Sequence, residues 1–245
     1  MKRSTKILLL VATALVLTGC TLFAFGMTKL NWDFSELSTV EYETNIYEID
    51  DAFENISVET YCAQIVIVPS NDETAKVECI EETNIRHTVT VENNTLTVTA
   101  TEIKPYASLF NHIGIVTDSP QITIYLPKRE YATLILHNNV GDMEIPQGFT
   151  FQNIELSSET GDILLCAFAE NTIKIKTDTG DVQFQNCDAA EILVTSDTGD
   201  ITGNFLTDKI FTAVSDCGDV DIPNTATGGK CEITTDTGDI RIKIK

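Results

Sequence analysis

The stretch Ile173-Lys174-Ile175-Lys176-Thr177-Asp178-Thr179-Gly180-Asp181-Val182-Gln183-Phe184 decides the fold of this chain. Apolar side chains at 173 and 175, and again at 182 and 184, alternate with polar ones, which is the period of a strand with one buried face. Between the two runs sits a Gly-Asp dipeptide. It recurs at Gly141, Gly161, Gly180, Gly199, Gly218 and Gly238, at steps of 20, 19, 19, 19 and 20 residues. A fixed recurrence of this length marks one supersecondary unit per repeat, which buries its apolar face only by stacking on its neighbours.

Aligning the repeats on glycine gives four inward columns. Two precede the corner: Leu134, Ile154, Ile173, Ile192, Phe211, Cys231, and Leu136, Leu156, Ile175, Val194, Ala213, Ile233. Two follow it: Met143, Ile163, Val182, Ile201, Val220, Ile240, and Ile145, Leu165, Phe184, Gly203, Ile222, Ile242, where Gly203 alone breaks the apolar pattern. Each unit returns to an identical strand, so identical strands are expected to stack in parallel, about 4.8 Å apart. The expected fold is all-β: a parallel β-helix or solenoid of about 19–20 residues per coil. At the corner, Asp178-Thr179-Gly180-Asp181 reads as a type II turn whose third residue needs positive φ, hence glycine. Asn138, Ser158, Thr177, Ser196, Ser215 and Thr235 lead the corners and are expected to hydrogen-bond the turn backbone. Gly199 is read as a demanding corner, and Gly228, in a Gly-Gly pair, as a looser position.

A degenerate coil precedes the regular ones at Ile56–Ile67, with Ala63 and Gln64 standing where glycine and aspartate recur, so the solenoid is expected to begin near Phe53. Thr88–Thr99 alternates around Asn93-Asn94, a hairpin pattern. Residues 105–120 fit no strand; Tyr106, Leu109, Phe110, Ile113 and Ile115 there read as a loop packed over a coil, with an exposed contact site as the alternative. The last strand, Ile240–Lys245, is expected to be the outer edge of the stack, with Arg241, Lys243 and Lys245 discouraging edge-to-edge association.

At the N-terminus Lys2, Arg3 and Lys6 precede an uncharged run from Ile7 to Met27, long enough to cross a bilayer as a helix. The basic flank places residues 1–6 in the cytoplasm, 7–27 in a transmembrane or signal-anchor helix with Trp32 near the outer interface, 28–52 in a juxtamembrane segment, and 53–245 in an extracytoplasmic ectodomain with its repeats at 134–245. The alternative is a lipoprotein, because Leu17-Thr18-Gly19-Cys20 has the form of the bacterial lipidation box with Cys20 as the modified residue. Thr21–Met27 remains apolar beyond that cysteine, which favours the retained helix.

The formal charge of −21 argues against nucleic acid or anionic lipid headgroups as ligands. Two acidic rows follow from the repeat: Asp142, Asp162, Asp181, Asp200, Asp219 and Asp239, and beside it Glu159, Asp178, Asp197, Asp216 and Asp236. Stacked carboxylates repel. Relief comes either from turn N–H groups donating to each aspartate or from bound calcium; calcium wants six or more oxygens per ion, and the glycine-rich calcium nonapeptide is absent from the sequence. No catalytic, cofactor-binding or metal residue is assigned. His87, His112 and His137 form no paired motif, and none of Cys62, Cys79, Cys166, Cys187, Cys217 and Cys231 lies in a CxxC; they read as small buried hydrophobes, with disulfides such as Cys62 to Cys79 or Cys166 to Cys187 left open. A carbohydrate-active enzyme on a β-helical scaffold is the enzymatic alternative, but it needs a groove built by long inserted loops, which the uniform coils after Asp142 leave no room for.

The repeated Ser/Thr-Asp-Thr-Gly-Asp-Ile/Val, the closing Thr227-Gly228-Gly229-Lys230-Cys231 to Asp239-Ile240, the Ile122–Pro127 strand and the basic-plus-apolar N-terminus resemble the bacterial "putative adhesin" domain-of-unknown-function family, which includes LiaG-like membrane-anchored proteins. The resemblance runs from the anchor to Lys245. It implies a β-solenoid ectodomain at the cell surface, in a family associated with the envelope, and carries over no site residues. Taken with the reading of the residues, the expectation is a non-catalytic, monomeric, adhesin-like or envelope-associated interaction module with a protein or glycan partner and no cofactor.

Overall fold

The computed structural model describes residues 3–34, 42–82, 85–101 and 119–245. The expected 105–120 loop falls largely outside these residues, as do His112 and part of the juxtamembrane segment.

An apolar helix, α1 (Arg3–Lys29), opens the chain. Its span Thr5–Lys29 is long and apolar enough to cross a membrane by length and composition. Leu8, Leu10, Leu15 and Phe25 are exposed along it. Threonines 13, 18 and 21 return their hydroxyls to carbonyls one turn back, so the polar groups within the helix are satisfied locally.

The remainder is strand: β1 (Tyr42–Ile49), β2 (Asn55–Cys62), β3 (Gln64–Pro69), β4 (Ala75–Glu82), β5 (Arg86–Glu92), β6 (Thr95–Thr101), β7 (Gln121–Leu126), β8 (Glu130–Val140), β9 (Met143–Ile145), β10 (Thr150–Thr160), β11 (Ile163–Leu165), β12 (Phe168–Thr179), β13 (Val182–Cys187), β14 (Glu191–Thr198), β15 (Ile201–Phe205), β16 (Lys209–Cys217), β17 (Val220–Asp221), β18 (Gly229–Thr237) and β19 (Ile240–Ile244). They form two sheets, ordered β1-β4-β7-β3-β9-β11-β13-β15-β19-β17 and β16-β18-β14-β12-β10-β8-β2-β6-β5. Each Gly-Asp corner carries the chain from the second sheet to the first, so one repeat contributes one strand to each.

The expected columns register. Leu134, Ile154, Ile173, Ile192 and Cys231 pair in sequence along the second sheet, and Met143, Ile163, Val182, Ile201 and Ile240 along the first. All ten are buried. Around them run aromatic contacts, Phe53 on Tyr131 on Phe151 at one side and Phe184 against Phe205 at the other. Both Asn93 and Asn94 take positive φ between β5 and β6, the geometry a two-residue hairpin needs.

Uniform parallel stacking does not extend throughout, and the sheets are mixed. At one end β5 runs antiparallel to β6, β4 to β7 and β1 to β4, closing the core with hairpin-like strands in place of another coil. Coil order also departs from chain order at both ends. The unit made by β6 and β7 lies outside that of β2 and β3, and the last unit, β18 with β19, is inserted between β14 with β15 and β16 with β17.

That insertion corrects the expectation for Ile240–Lys245, which is not the outer edge. The edge belongs to β16 and the two-residue β17. A unit with intact apolar columns (Cys231, Ile233, Ile240, Ile242) gains from neighbours on both sides, while the unit with the shortest strand makes the edge, where a short strand limits unwanted pairing. Arg241 instead bonds Asp239, and Lys245 Nζ reaches Asn186 Oδ1 at 2.9 Å.

The corner itself is also corrected. β12 continues through Thr179, and Gly180 sits at φ 142°, well beyond the value a type II turn takes at its third residue. Glycine is needed because the next unit approaches so closely: a Cβ on Gly180 would lie 2.1 Å from the carbonyl oxygen of Gly161. Gly218, in the edge unit, is the one corner glycine without positive φ. Gly228 is not loose: at φ 109° its Cβ would lie 1.8 Å from the Asp208 carbonyl oxygen.

Candidate functional site

Two constellations carry chemical groups: the aspartate row at the corners and a buried polar cluster at the hairpin end of the stack.

At each corner the backbone ladder skips a rung. Gly161 N–H donates to Thr179 O and Ile163 N–H to Asp181 O, each at 2.9 Å, which leaves the N–H of the intervening aspartate without a backbone acceptor. The side chain of the neighbouring unit fills the gap. Asp162 N–H donates to Asp142 Oδ1 at 2.9 Å, Asp181 N–H to Asp162 Oδ1 and Asp200 N–H to Asp181 Oδ1 at 2.8 Å. Asp239 N–H then donates to Asp200 Oδ1, and Asp219 N–H to Asp239 Oδ1, both at 2.7 Å. Asp142, Asp162, Asp181, Asp200 and Asp239 accept a turn N–H as the sequence suggested, but from the adjoining unit and not from their own turn, while Asp219 in the edge unit only donates. Asp239 is held below the usual carboxylate range first by the Asp219 N–H and further by Arg241 nearby, with desolvation opposing.

The Asn/Ser/Thr row does the complementary task for some of the corner carbonyls. Asn138 Nδ2 donates to Ala63 O at 2.7 Å, Ser215 Oγ to Gly238 O at 2.8 Å and Thr235 Oγ1 to Gly199 O at 3.3 Å. Ser158, Thr177 and Ser196 are buried in the same row, and their hydroxyls make no such bond among the described residues.

The second constellation carries no sequence motif because its parts come from three strands. His87 of β5 places Nδ1 2.7 Å from Glu81 Oε2 of β4 and Nε2 3.0 Å from Thr60 Oγ1 of β2. Glu81 also accepts the His87 backbone N–H at 2.6 Å and Asn45 Nδ2 at 2.7 Å, and Tyr47 donates its hydroxyl to His87 O. Carboxylate, imidazole and hydroxyl stand in the order that nucleophilic hydrolases use. Thr60, His87 and Glu81 are only 3%, 4% and 1% exposed, however, so no substrate carbonyl reaches the hydroxyl. Cys79 adds a third potential metal ligand, its sulfur and the Glu81 and His87 ligand atoms lying within 4.8 Å of one another. Burial, reinforced by Glu81 and Glu78, pushes the Cys79 thiol up to about 12, which disfavours the thiolate a metal would need. Glu81 already receives three donors. The cluster is a satisfied internal network.

The cysteines are free thiols, with Cys79, Cys166, Cys187 and Cys231 buried and Cys62 and Cys217 exposed. His137 lies on the polar outer face of β8, away from the other described histidine.

Comparison with known proteins agrees with this architecture. A "putative cell adhesion protein" from Clostridium sporogenes superposes with a TM-score of 0.51 at 14% identity, covering 84% of this chain and all of that one. A "putative adhesin" from Bacteroides fragilis gives a TM-score of 0.45 at 19% identity, covering 83% and 97% of the two chains. The first shares the fold. No curated protein matches the sequence. The Toastrack DUF4097 family model matches residues 53–245, and the chain belongs to that family.

Proposed function

We propose that the protein is a non-catalytic surface module: a β-solenoid-like ectodomain, residues 53–245, carried at the outer face of a bacterial membrane by the 7–27 helix, presenting its polar sheet faces to an envelope protein or glycan. The observation that supports this most is that the Gly-Asp aspartates and the one carboxylate–imidazole–hydroxyl cluster among the described residues are taken up by the scaffold. The aspartate row is bonded into the backbone ladder, and the carboxylate–imidazole–hydroxyl cluster is sealed from solvent. What is left outside is a surface of stacked strands, mostly polar but with exposed apolar side chains such as Tyr61, Val140, Ile210 and Val214, suited to contact and not to turnover. The Clostridium sporogenes protein of the same fold, described as a "putative cell adhesion protein", is in keeping with this role.

The anchor is read as a retained helix because α1 runs unbroken through Cys20 to Lys29 and exposes most of its apolar side chains, Met27 excepted. Mass spectrometry of the full chain extracted from membranes tests this reading: an N-terminus at Met1 or Lys2 is expected, and diacylglyceryl-Cys20 as the new N-terminus would replace it with the lipoprotein. Protease treatment of intact cells tests the orientation, with residues 53–245 expected to be accessible.

A further inference from the structure

Lys209 and Asp188 form the one ion pair among the described residues in which both side chains are almost wholly buried and neither partner is a histidine, at 2% and 4% exposure. Lys209 opens β16 in the edge unit. It stands in register with Gly229, and the neighbouring Lys230 N–H donates to Ala190 O, so its side chain passes the inserted unit at a residue with no side chain and reaches the acid that follows β13. Lys209 Nζ contacts Asp188 Oδ1 directly and bonds Thr207 Oγ1 at 2.6 Å. Asp188 Oδ1 also accepts the Ala189 backbone N–H at 2.9 Å, while Oδ2, also buried, has no hydrogen-bond partner among the described residues. Cys187, Cys231 and Phe205, each fully buried, make this part of the core apolar.

Two full charges in such a place are costly, and a carboxylate oxygen without a donor adds to the cost. We propose that the pair matures into an intramolecular amide, Lys209 Nζ bonded to Asp188 Cγ. The ammonium gives up a proton to the carboxylate, the freed Nζ lone pair attacks Cγ, and the N–Cγ bond forms as the Cγ–Oδ2 bond breaks. Of the three protons on Nζ, one stays on the amide and two leave with Oδ2 as water, so no oxidant, cofactor or activated donor is required. The asymmetry of the carboxyl group fits this course. Oδ1, held by the Ala189 N–H, takes the developing negative charge as an oxyanion does. Oδ2, without a hydrogen-bond partner among the described residues, is the oxygen that departs. Thr207 Oγ1 positions the amine. The product removes both buried charges and staples the edge unit to the unit two layers below, across the inserted one.

The test is a peptide map of the full chain, purified in detergent, unfolded and digested. A linked pair of peptides bearing Asp188 and Lys209, lighter than their sum by one water, is expected from the wild type. Lys209→Arg, which keeps the charge but offers no amine nucleophile, is expected to give the two peptides separately. Recovery of both unlinked wild-type peptides in place of the linked pair overturns the proposal, as does a link from Lys209 to a different acid. Because the decisive reading is on the wild type and on internal peptides, it depends neither on folding of the variant nor on how the N-terminus is processed.

Discussion

The backbone N–H of Asp239 donates to Oδ1 of Asp200 across 39 residues of chain, whereas the regular corners make the same bond across 19 or 20. The carboxylate row therefore tracks the spatial order of the units and not their order in sequence. The bond exists wherever one Gly-Asp corner sits on another, which makes the row a structural element in its own right.

Removing one acceptor from the row should tell. Asp181→Ala leaves the Asp200 N–H without its side-chain partner and is expected to cost about 1 kcal/mol of unfolding free energy, read from denaturant titration. Asp181→Asn retains an oxygen at the same place and should cost less. Equal losses would separate the row's effect from hydrogen bonding.

Because the row already serves the backbone, calcium should add little. The melting temperature of the protein is expected to change only slightly between chelator and millimolar calcium, since a ligand of the folded state would raise it by mass action. A large rise that chelator reverses and magnesium does not reproduce would assign the row to ion binding.

Acid should weaken the row in a defined direction. The folded-state pKa of Asp239 lies below its unfolded value, so its contribution is fully present above the ordinary aspartate range and is lost as pH falls through the depressed value. Asp239→Asn is expected to flatten the low-pH limb of the stability profile, leaving the neutral region less affected. Thermal melts between neutral and strongly acidic pH, on wild type and variant together, check this.

Among the glycines, close approach and backbone angle can be separated. Gly199 has φ 149° and would bring a Cβ to 2.0 Å from Gly180 O, whereas Gly148 has φ 99° but meets only the end of Lys128 at 3.7 Å. Gly199→Ala should destabilise by about 1–3 kcal/mol or more and Gly148→Ala by less. Gly228→Ala should fall with Gly199→Ala, since it combines φ 109° with a 1.8 Å approach to Asp208 O.

The buried cluster at the hairpin end should behave as one unit. Truncating Glu81 to Ala strands His87 and Asn45 and is expected to cost about 3–5 kcal/mol, as is truncating His87. The double variant should lose much less than the sum, because each single change already strands the other partner. Additive losses would show that the two side chains are independent.

Much of this architecture was legible in the sequence because stacking repeats a local pattern. The inward columns, the need for glycine, the Asn93-Asn94 hairpin and the structural use of the aspartates all follow from what one unit does to the next. What escaped is non-local. Nothing within Gly229–Ile244 distinguishes a unit at the end of the stack from one inserted before its predecessor, as both need the same apolar columns. Ala63 read as a damaged corner, yet its carbonyl receives Asn138 Nδ2 as a glycine carbonyl would. The cluster of Thr60, Glu81 and His87 stayed hidden for the same reason, since its residues meet only after three strands have paired across two sheets.

The placement of the last unit bears on the order in which the chain can fold. A solenoid whose layers followed the sequence could be laid down one coil at a time as it emerged, each new coil capping the previous one. Here residues 209–221 have no finished surface to rest on until 229–244, which follows them in the chain, is in place. That end of the stack therefore closes as a single event involving two units, and a chain lacking residues 229–245 would lose two layers of fold and not one.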